Sequence, residues 1–213
     1  KRNTKALLNE HRKIPVVGGG EHEDTGNRYP DDQDRVECRQ NVRDHLLKGK
    51  SVNASQLYPN EVIASMIKSD RYTTAVVSIS TLSRDMMLAQ WDSLKADHSR
   101  KMDEIRQKIA DGIIETSGSE DDVAAALSSG RFIGCADTSA SMTWVGKSPN
   151  RPFDIAVALT AFMSETAAPP FNNMAMAFST NPTMITFPKH HTVIDRVRTI
   201  IDSGCYGSTN YLG

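Results

Sequence analysis

Residues 131–145, RFIGCADTSASMTWV, contain the pattern that decides how the second half of this chain folds. A short apolar run ends at Asp137, and small hydroxyl residues fill three of the next four positions. Ordinary turns rarely need so many oxygen atoms, so the pattern indicates a buried strand followed by a functional loop. Ligands of open α/β sheets bind beyond the carboxyl ends of the strands, which is where Asp137 stands.

The segments that follow predict an α/β sheet. The apolar residues 153–166 predict a helix that is covered on both sides, and residues 192–204, TVIDRVRTIIDSG, predict a helix with one apolar stripe. Between them, NMAMAFST (173–180) and TMITFP (183–188) predict two strands. We expect a parallel sheet with RFIGCA at its centre, NMAMAFST beside it after a right-handed crossover, and TMITFP antiparallel at the edge.

The first half of the chain has a different character. Residues 1–34 predict a flexible basic and polar arm, and residues 35–128 predict an α-helical region. Within that region we expect Asn60 to cap a helix that carries Met66 and Ile67 on its apolar face. Residues 71–81, RYTTAVVSIST, are rich in β-branched residues and stay open between strand and helix. A long helical pattern, in one helix or two, ends at Gly112.

Composition narrows the class of protein. Lysine and arginine number 25 against 26 aspartate and glutamate, for a net charge of -1, so no global field attracts nucleic acid or an anionic membrane. The longest apolar run is too short for a membrane helix. Cys38, Cys135 and Cys205 are an odd number without a CxxC motif, which argues against a disulfide framework and a zinc knuckle. We expect a reducing compartment, with Cys135 and Cys205 as small core residues.

The oxygen-rich loop has the chemistry of a divalent-cation site. Asp137, Ser139 and Ser141 alternate, so in an extended loop they would face the same way and offer one carboxylate and two hydroxyls to one point. Magnesium prefers such an all-oxygen set, in which water or another ligand completes an octahedral shell. The residues 137–141 therefore predict a cation site at the end of the strand.

At these residues the chain resembles von Willebrand factor type A (VWA) domains. DTSAS (137–141) matches their Asp-x-Ser-x-Ser signature, and CYGSTN (205–210) places Thr209 where the family has a threonine. The resemblance implies that Ser139 and Ser141 bind Mg²⁺ or Mn²⁺ directly, Asp137 acts mainly through water, and Thr209 contacts the ion in the ligand-bound state. A partner's carboxylate would take the sixth position.

The resemblance also implies a fold. Residues 129–213 would form the first half of a doubly wound, mostly parallel, Rossmann-like VWA sheet, with the family's last metal-site aspartate beyond Gly213. We therefore expect the chain to be a piece of a longer polypeptide. Upstream, residues 46–67 and QWDSL (90–94) resemble the helical region that precedes such a domain in a poorly characterised group of plant and giant-virus proteins. More distantly, Ro-type (TROVE) RNA-binding proteins have a similar architecture.

These observations lead to one expected function and one alternative. We expect a cation-dependent protein-binding or scaffold module, located in the cytoplasm or within a virion. It would capture an Asp or Glu of a partner, or of a neighbouring subunit in an oligomer or assembly. The alternative is a Ro-like protein whose helical part binds RNA, with the cation domain as structural support.

Two patterns in the sequence are similar to enzyme sites but lack features that such sites need: a Gly-Lys-Ser sequence and a pair of adjacent histidines. The Gly-Lys-Ser of a phosphate-binding loop ends at Ser148, but Ser141 replaces the first glycine that such a loop requires. Pro149 and Pro152 also prevent a helix from beginning at Lys147. His190 and His191 are adjacent, so in extended chain they point in opposite directions and do not readily share an ion. We therefore do not expect an enzyme.

Overall fold

The structure, a computed structural model, describes residues 33–47, 57–69, 74–112, 130–144, 146–178 and 182–203. The fold is mixed α/β. Nearly all of the predicted arm at residues 1–34 lies outside the described residues, as do Cys205 and Thr209. In chain order the elements are α1 (Gln33–Leu47), α2 (Pro59–Ile63), β1 (Ile67–Ser69), β2 (Thr74–Val76), α3 (Thr81–Ala110), β3 (Gly134–Asp137), α4 (Ser141–Trp144), α5 (Pro152–Thr166), β4 (Met174–Phe178), β5 (Thr183–Thr186) and α6 (Val193–Ser203).

The region predicted to be α-helical also contains strands. β1 and β2 pair antiparallel, with Ile67 opposite Val76. Helix α2 ends at Ile63, so Met66 and Ile67 lie in a turn and in β1, and their predicted place on a helix face is wrong. Both side chains are nevertheless buried. A short apolar run indicates burial, but its spacing does not distinguish a helix from a turn that leads into a strand.

Asn60 does not cap helix α2. The cap position belongs to Tyr58, whose backbone N–H donates to Glu61 Oε2 at 2.8 Å, and Pro59 occupies the first helical position. Proline lacks a backbone N–H and its fixed φ suits the first turn, so the cap falls before it. Asn60 is therefore inside the helix, and its side chain is available for contacts with other elements.

Helix α3 is one continuous helix of 30 residues. The Ser80 hydroxyl accepts a hydrogen bond from the Ser83 backbone N–H at 3.2 Å and caps its start. Gly112, with φ of +70°, follows its end, which confirms the predicted stop. Neither α3 nor any other helix in the described residues is long and apolar enough to span a lipid bilayer.

The main sheet has the strand order β3-β4-β5. β3 and β4 are parallel, with Asp137 in register with Phe178, and β5 is antiparallel at the edge, as predicted. The central position predicted for RFIGCA is wrong for the described sheet, in which β4 lies in the middle. Apolar patterns locate a strand, but its pairing partners depend on contacts between distant segments.

Helix α5 covers one face of β3 at close range. A Cβ added to Gly134 would lie 3.0 Å from Thr160 Cα, so only glycine allows the observed approach of helix and strand. The face of β3 that α5 covers carries Gly134 and Ala136, both buried. This packing fixes the direction in which β3 delivers the loop that begins after Asp137.

A single hydrophobic core joins the two halves of the chain. Met66 and Trp91 from the first half belong to the same buried cluster as Val157 and Ile200 from the second. Helix α2 packs on α5, and α6 packs on both α5 and β2. The α-helical region and the sheet therefore support each other directly, although residue patterns alone showed only that each had an apolar face.

Candidate cation site

The oxygen-rich loop begins where two parallel strands end together. Asp137 is the last residue of β3, and its partner Phe178 is the last residue of β4. The Thr138 backbone N–H donates to the Phe178 carbonyl oxygen at 2.9 Å, which extends the pairing by one residue. The Thr138 hydroxyl donates to the same oxygen at 3.3 Å. The start of the loop is thus fixed by the sheet.

A tight turn brings the candidate ligands together. Asp137 Oδ1 accepts a hydrogen bond from the Ser139 backbone N–H at 2.9 Å, and the Ser139 and Ser141 hydroxyl oxygens are 3.1 Å apart. The loop is not extended as expected, because α4 begins at Ser141. Ser139 is buried, Asp137 is half-buried and Ser141 is exposed, so the group opens to solvent on the Ser141 side.

The donor set fits a hard divalent cation. Neighbouring ligands of octahedral Mg²⁺ lie about 3 Å apart, because each metal–oxygen distance is about 2.1 Å. The separation of 3.1 Å between the Ser139 and Ser141 hydroxyl oxygens matches that spacing. No group of three His, Cys, Asp or Glu side chains in the described residues could hold a metal ion. The fit therefore depends on hydroxyl ligands with a single carboxylate, as in magnesium sites that keep several waters.

The structure brings together three of the four predicted site residues. Asp137, Ser139 and Ser141 share one turn at the carboxyl end of β3. Thr209 lies outside the described residues, so its contact with a cation remains a prediction.

Cys135 is exposed, and its predicted place in the core is wrong. Side chains of a strand alternate, so Cys135 lies on the face opposite the buried Gly134 and Ala136. Partial burial raises the pKa of the Cys135 thiol, and the negative charge of Asp137 raises it further. Near neutral pH the thiol is therefore protonated and uncharged.

A second loop, residues 146–151, connects α4 to α5. Lys147 and Ser148 are exposed in this loop, and α5 begins only at Pro152, so the Gly-Lys-Ser residues do not open a helix. The Asn60 side-chain amide donates to the Pro149 carbonyl oxygen at 3.0 Å and to Asn150 Oδ1 at 3.4 Å. This contact was not predictable from the sequence, because its partners are about 90 residues apart in the chain.

A buried ion pair holds the start of α5. Arg151 Nε donates to Asp154 Oδ2 at 3.1 Å, and the two side chains are only 6% and 1% exposed. An aspartate in the first turn also interacts favourably with the helix dipole. Sequence analysis missed this pair as well, although an aspartate in the first turn of an otherwise apolar helix was the available signal. The pair fixes the end of loop 146–151 that leads into α5.

His190 and His191 precede α6 and contact each other rather than a common ion. Their ring centroids are 5.2 Å apart with the rings nearly perpendicular. His190 is exposed and His191 is half-buried. The described residues bring no third His, Cys, Asp or Glu side chain to form a metal-binding group with them.

Comparison with known proteins finds one similarity, which covers the part of the chain that contains the candidate site. Residues 131–212 match the family model described as Domain of unknown function (DUF7788). The matched span includes the loop with Asp137, Ser139 and Ser141, and it also includes Thr209. No curated protein and no solved structure matches the chain.

Proposed function

We propose that this chain is a cation-dependent protein-binding or scaffold module whose site is formed by Asp137, Ser139, Ser141 and Thr209. The observation that carries the proposal is the position of the Ser139 and Ser141 side chains. Their hydroxyl oxygens are 3.1 Å apart, and both residues follow Asp137, the last residue of β3. Their spacing suits adjacent ligands of Mg²⁺ or Mn²⁺. The position suits binding, because α/β sheets bind ligands beyond the carboxyl ends of their strands.

Each residue has a distinct role in this proposal. Ser139 and Ser141 bind the cation directly, Asp137 acts through a bound water, and Thr209 adds a contact when a partner is bound. Asp137 Oδ1 already accepts the Ser139 backbone N–H, so the carboxylate also holds the turn that presents the serines. Neutral hydroxyls leave the cation with net positive charge, so an anionic group completes its coordination. An Asp or Glu of a partner protein, or of a neighbouring subunit, is the proposed ligand.

The sheet supports a VWA-like fold for this region. Parallel β3 and β4 are joined through α5, and antiparallel β5 lies at the edge, as in the first half of a doubly wound sheet. Among the described strands, β3 pairs only with β4. Ile155 and Leu159 of α5 are 36% and 44% exposed. An open strand edge and exposed apolar residues on the covering helix are the features that a continuing sheet would bury.

The proposed role is recognition rather than catalysis, in a reducing intracellular compartment or a virion. The RNA-binding alternative predicts a basic face on the helical region. On α3, however, two of the exposed arginines pair with acidic neighbours: Arg100 with Asp97 and Glu104, and Arg106 with Asp103. This helix therefore presents mixed charge, and the protein-binding proposal has the better support.

The proposal is tested by coupling between cation and carboxylate. Mg²⁺ is titrated into the chain alone, then with a short peptide that has an amidated C-terminus and contains one glutamate, and then with the same amidated peptide containing glutamine instead. Because coupling between two ligands is reciprocal, the glutamate peptide should raise the apparent Mg²⁺ affinity at least severalfold. The glutamine peptide should leave it unchanged. Equal Mg²⁺ affinity in all three titrations would contradict carboxylate capture.

A further inference from the structure

We infer that helix α2 controls the cation loop through Asn60, which acts as a positioning residue for Ser141. This inference rests on the proposed cation site and adds a means by which the first half of the chain sets its affinity. Asn60 is only 7% exposed, and its side-chain amide donates to Pro149 and Asn150 of loop 146–151. That loop begins two residues after Trp144, the last residue of α4, and α4 itself begins at Ser141.

Ser141 needs support from outside its own helix. Helix α4 has four residues, and a helix of one turn has little stability by itself. At its start, the Met142 and Thr143 backbone N–H groups donate to the Ser139 and Ala140 carbonyl oxygens at 3.1 Å. These bonds join α4 to its own turn, and the half-buried Met142 packs against the common core. Helix α4 also contacts α5, so the position of Ser141 depends both on this packing and on the loop that holds the chain after Trp144.

Loop 146–151 supplies that support at two points. At its end, Arg151 is fixed by the buried pair with Asp154. In its middle, the Asn150 backbone N–H donates to the Lys147 carbonyl oxygen at 2.9 Å, and Asn60 holds Pro149 and Asn150 from the opposite side. Without Asn60, residues 146–150 would lose both of these hydrogen bonds and would keep the turn bond between the Asn150 N–H and the Lys147 carbonyl oxygen.

Helix α2 is a firm base for this contact. Val62 and Ile63 are buried in the common core, and the helix packs on α5. A movement of α2 would therefore be transmitted to loop 146–151, because the Asn60 amide is bonded to that loop, and from the loop to α4 and Ser141.

Asn60→Ala removes both hydrogen bonds and should lower Mg²⁺ affinity roughly three- to tenfold, since the binding-competent loop becomes less populated. It should also speed hydrogen exchange of the Met142 and Thr143 amides in metal-free protein. Asn150→Ala removes one acceptor from the exposed loop side without altering α2, and should give a smaller change in the same direction. This second variant keeps the test valid if Asn60→Ala unfolds.

Glu61→Ala is the matched control on the same helix. It removes the carboxylate that accepts the Tyr58 N–H but leaves the Asn60 contacts in place, so it should lower stability without changing Mg²⁺ affinity or loop exchange. If the wild type binds no Mg²⁺, the proposed function and this inference both fail. If the wild type binds Mg²⁺ and Asn60→Ala binds it equally well, the inference alone is overturned.

Discussion

Two polar groups lie at opposite ends of the main sheet, and they are built differently. At the amino end of β4, Arg196 donates to Ser164 Oγ at 3.0 Å and to Asn173 Oδ1 at 2.6 Å. Its Nε lies 3.6 Å from Glu165 Oε1. Glu165 also accepts from Trp91 Nε1 at 3.0 Å. We call this the amino-end cluster, and it connects α3, α5, α6 and the residue before β4.

The carboxyl-end turn at Asp137, Ser139 and Ser141 makes fewer connections. The Ser139 and Ser141 hydroxyls bond each other, and Asp137 Oδ1 bonds the backbone of its own turn. The amino-end cluster, in contrast, joins three helices and the residue before β4, and Arg196 is 3% exposed. Polar groups that connect several elements are explained by the stability that they give to the fold. Polar groups that bond only to one another and open to solvent require a different explanation, which we take to be ligand binding.

The difference between the two polar groups predicts that the largest loss of stability results from a substitution at Glu165. Glu165→Ala should lower the free energy of unfolding by about 3 kcal/mol, because it leaves Arg196 and Trp91 Nε1 without a buried carboxylate. Urea unfolding measures this change. The control Glu104→Ala breaks an exposed pair with Arg100 and should produce no measurable change. If Glu165→Ala lowered the free energy of unfolding only slightly, the amino-end cluster would not differ from the carboxyl-end turn in its contribution to stability.

The double variant Ser139→Ala with Ser141→Ala should affect stability much less. Each hydroxyl is the other's side-chain partner, so removing both leaves neither unsatisfied and should cost less than about 1 kcal/mol. The same variant should abolish Mg²⁺ binding. If urea unfolding showed a loss as large as that of Glu165→Ala, the turn would be a structural element like the amino-end cluster.

A smaller, pH-dependent effect is expected at the start of α6, the helix that carries Arg196. Partial burial alone would raise the pKa of Asp195, but the hydrogen bonds from the Thr192 N–H and hydroxyl outweigh it and lower the pKa. Because the folded-state pKa is lowered, this stabilisation is present above the unfolded value of 3.8 and is lost as pH falls through the folded value.

Asp195→Ala should therefore lower unfolding free energy by about 0.5 kcal/mol at neutral pH, a size limited by solvent screening. The difference from wild type should shrink toward zero at acid pH. Urea unfolding at a series of pH values measures it. A difference that stayed constant across the series would show that the carboxylate charge has no part in capping α6.

The smallest effect is expected from the arm. Residues 14–34 lack the apolar periodicity that would offset the entropy of ordering, so deleting residues 1–30 should leave the melting temperature nearly unchanged. Thermal unfolding of the two proteins checks this. A decrease of more than about 5 °C would show that the arm packs on the folded part and contributes to one of the two ends.

Local patterns predicted individual elements well. The stripe of α6 was identified because residues such as Val197 and Ile200 recur at helical spacing and are buried in one core. The antiparallel position of β5 at the edge of the sheet was also predicted. Partners distant in the chain were not predictable, because no local pattern encodes them. Asn60 contacts a loop about 90 residues away, and the pairing of β3 places β4 in the middle of the described sheet.

The candidate site was predictable to the same extent. The spacing of Asp137, Ser139 and Ser141 indicated a common ligand, and the structure brings these residues into one turn. The exposure of Cys135 was missed, since a short apolar run does not reveal which face of a strand is covered. The Arg151–Asp154 pair was also missed, because charges three residues apart are common on exposed helices and their burial depends on packing.

The most direct test of the central claim is a calorimetric titration of Mg²⁺ into the wild-type chain and into Asp137→Ala. Urea unfolding of both proteins serves as the control that the variant is folded. We predict that the wild type binds one Mg²⁺ and that Asp137→Ala, although folded, binds it at least tenfold more weakly, because the carboxylate both holds the turn and attracts the cation. Equal Mg²⁺ affinity in the two proteins, or no binding by the wild type, would contradict the cation site and leave a hydroxyl-rich turn in its place.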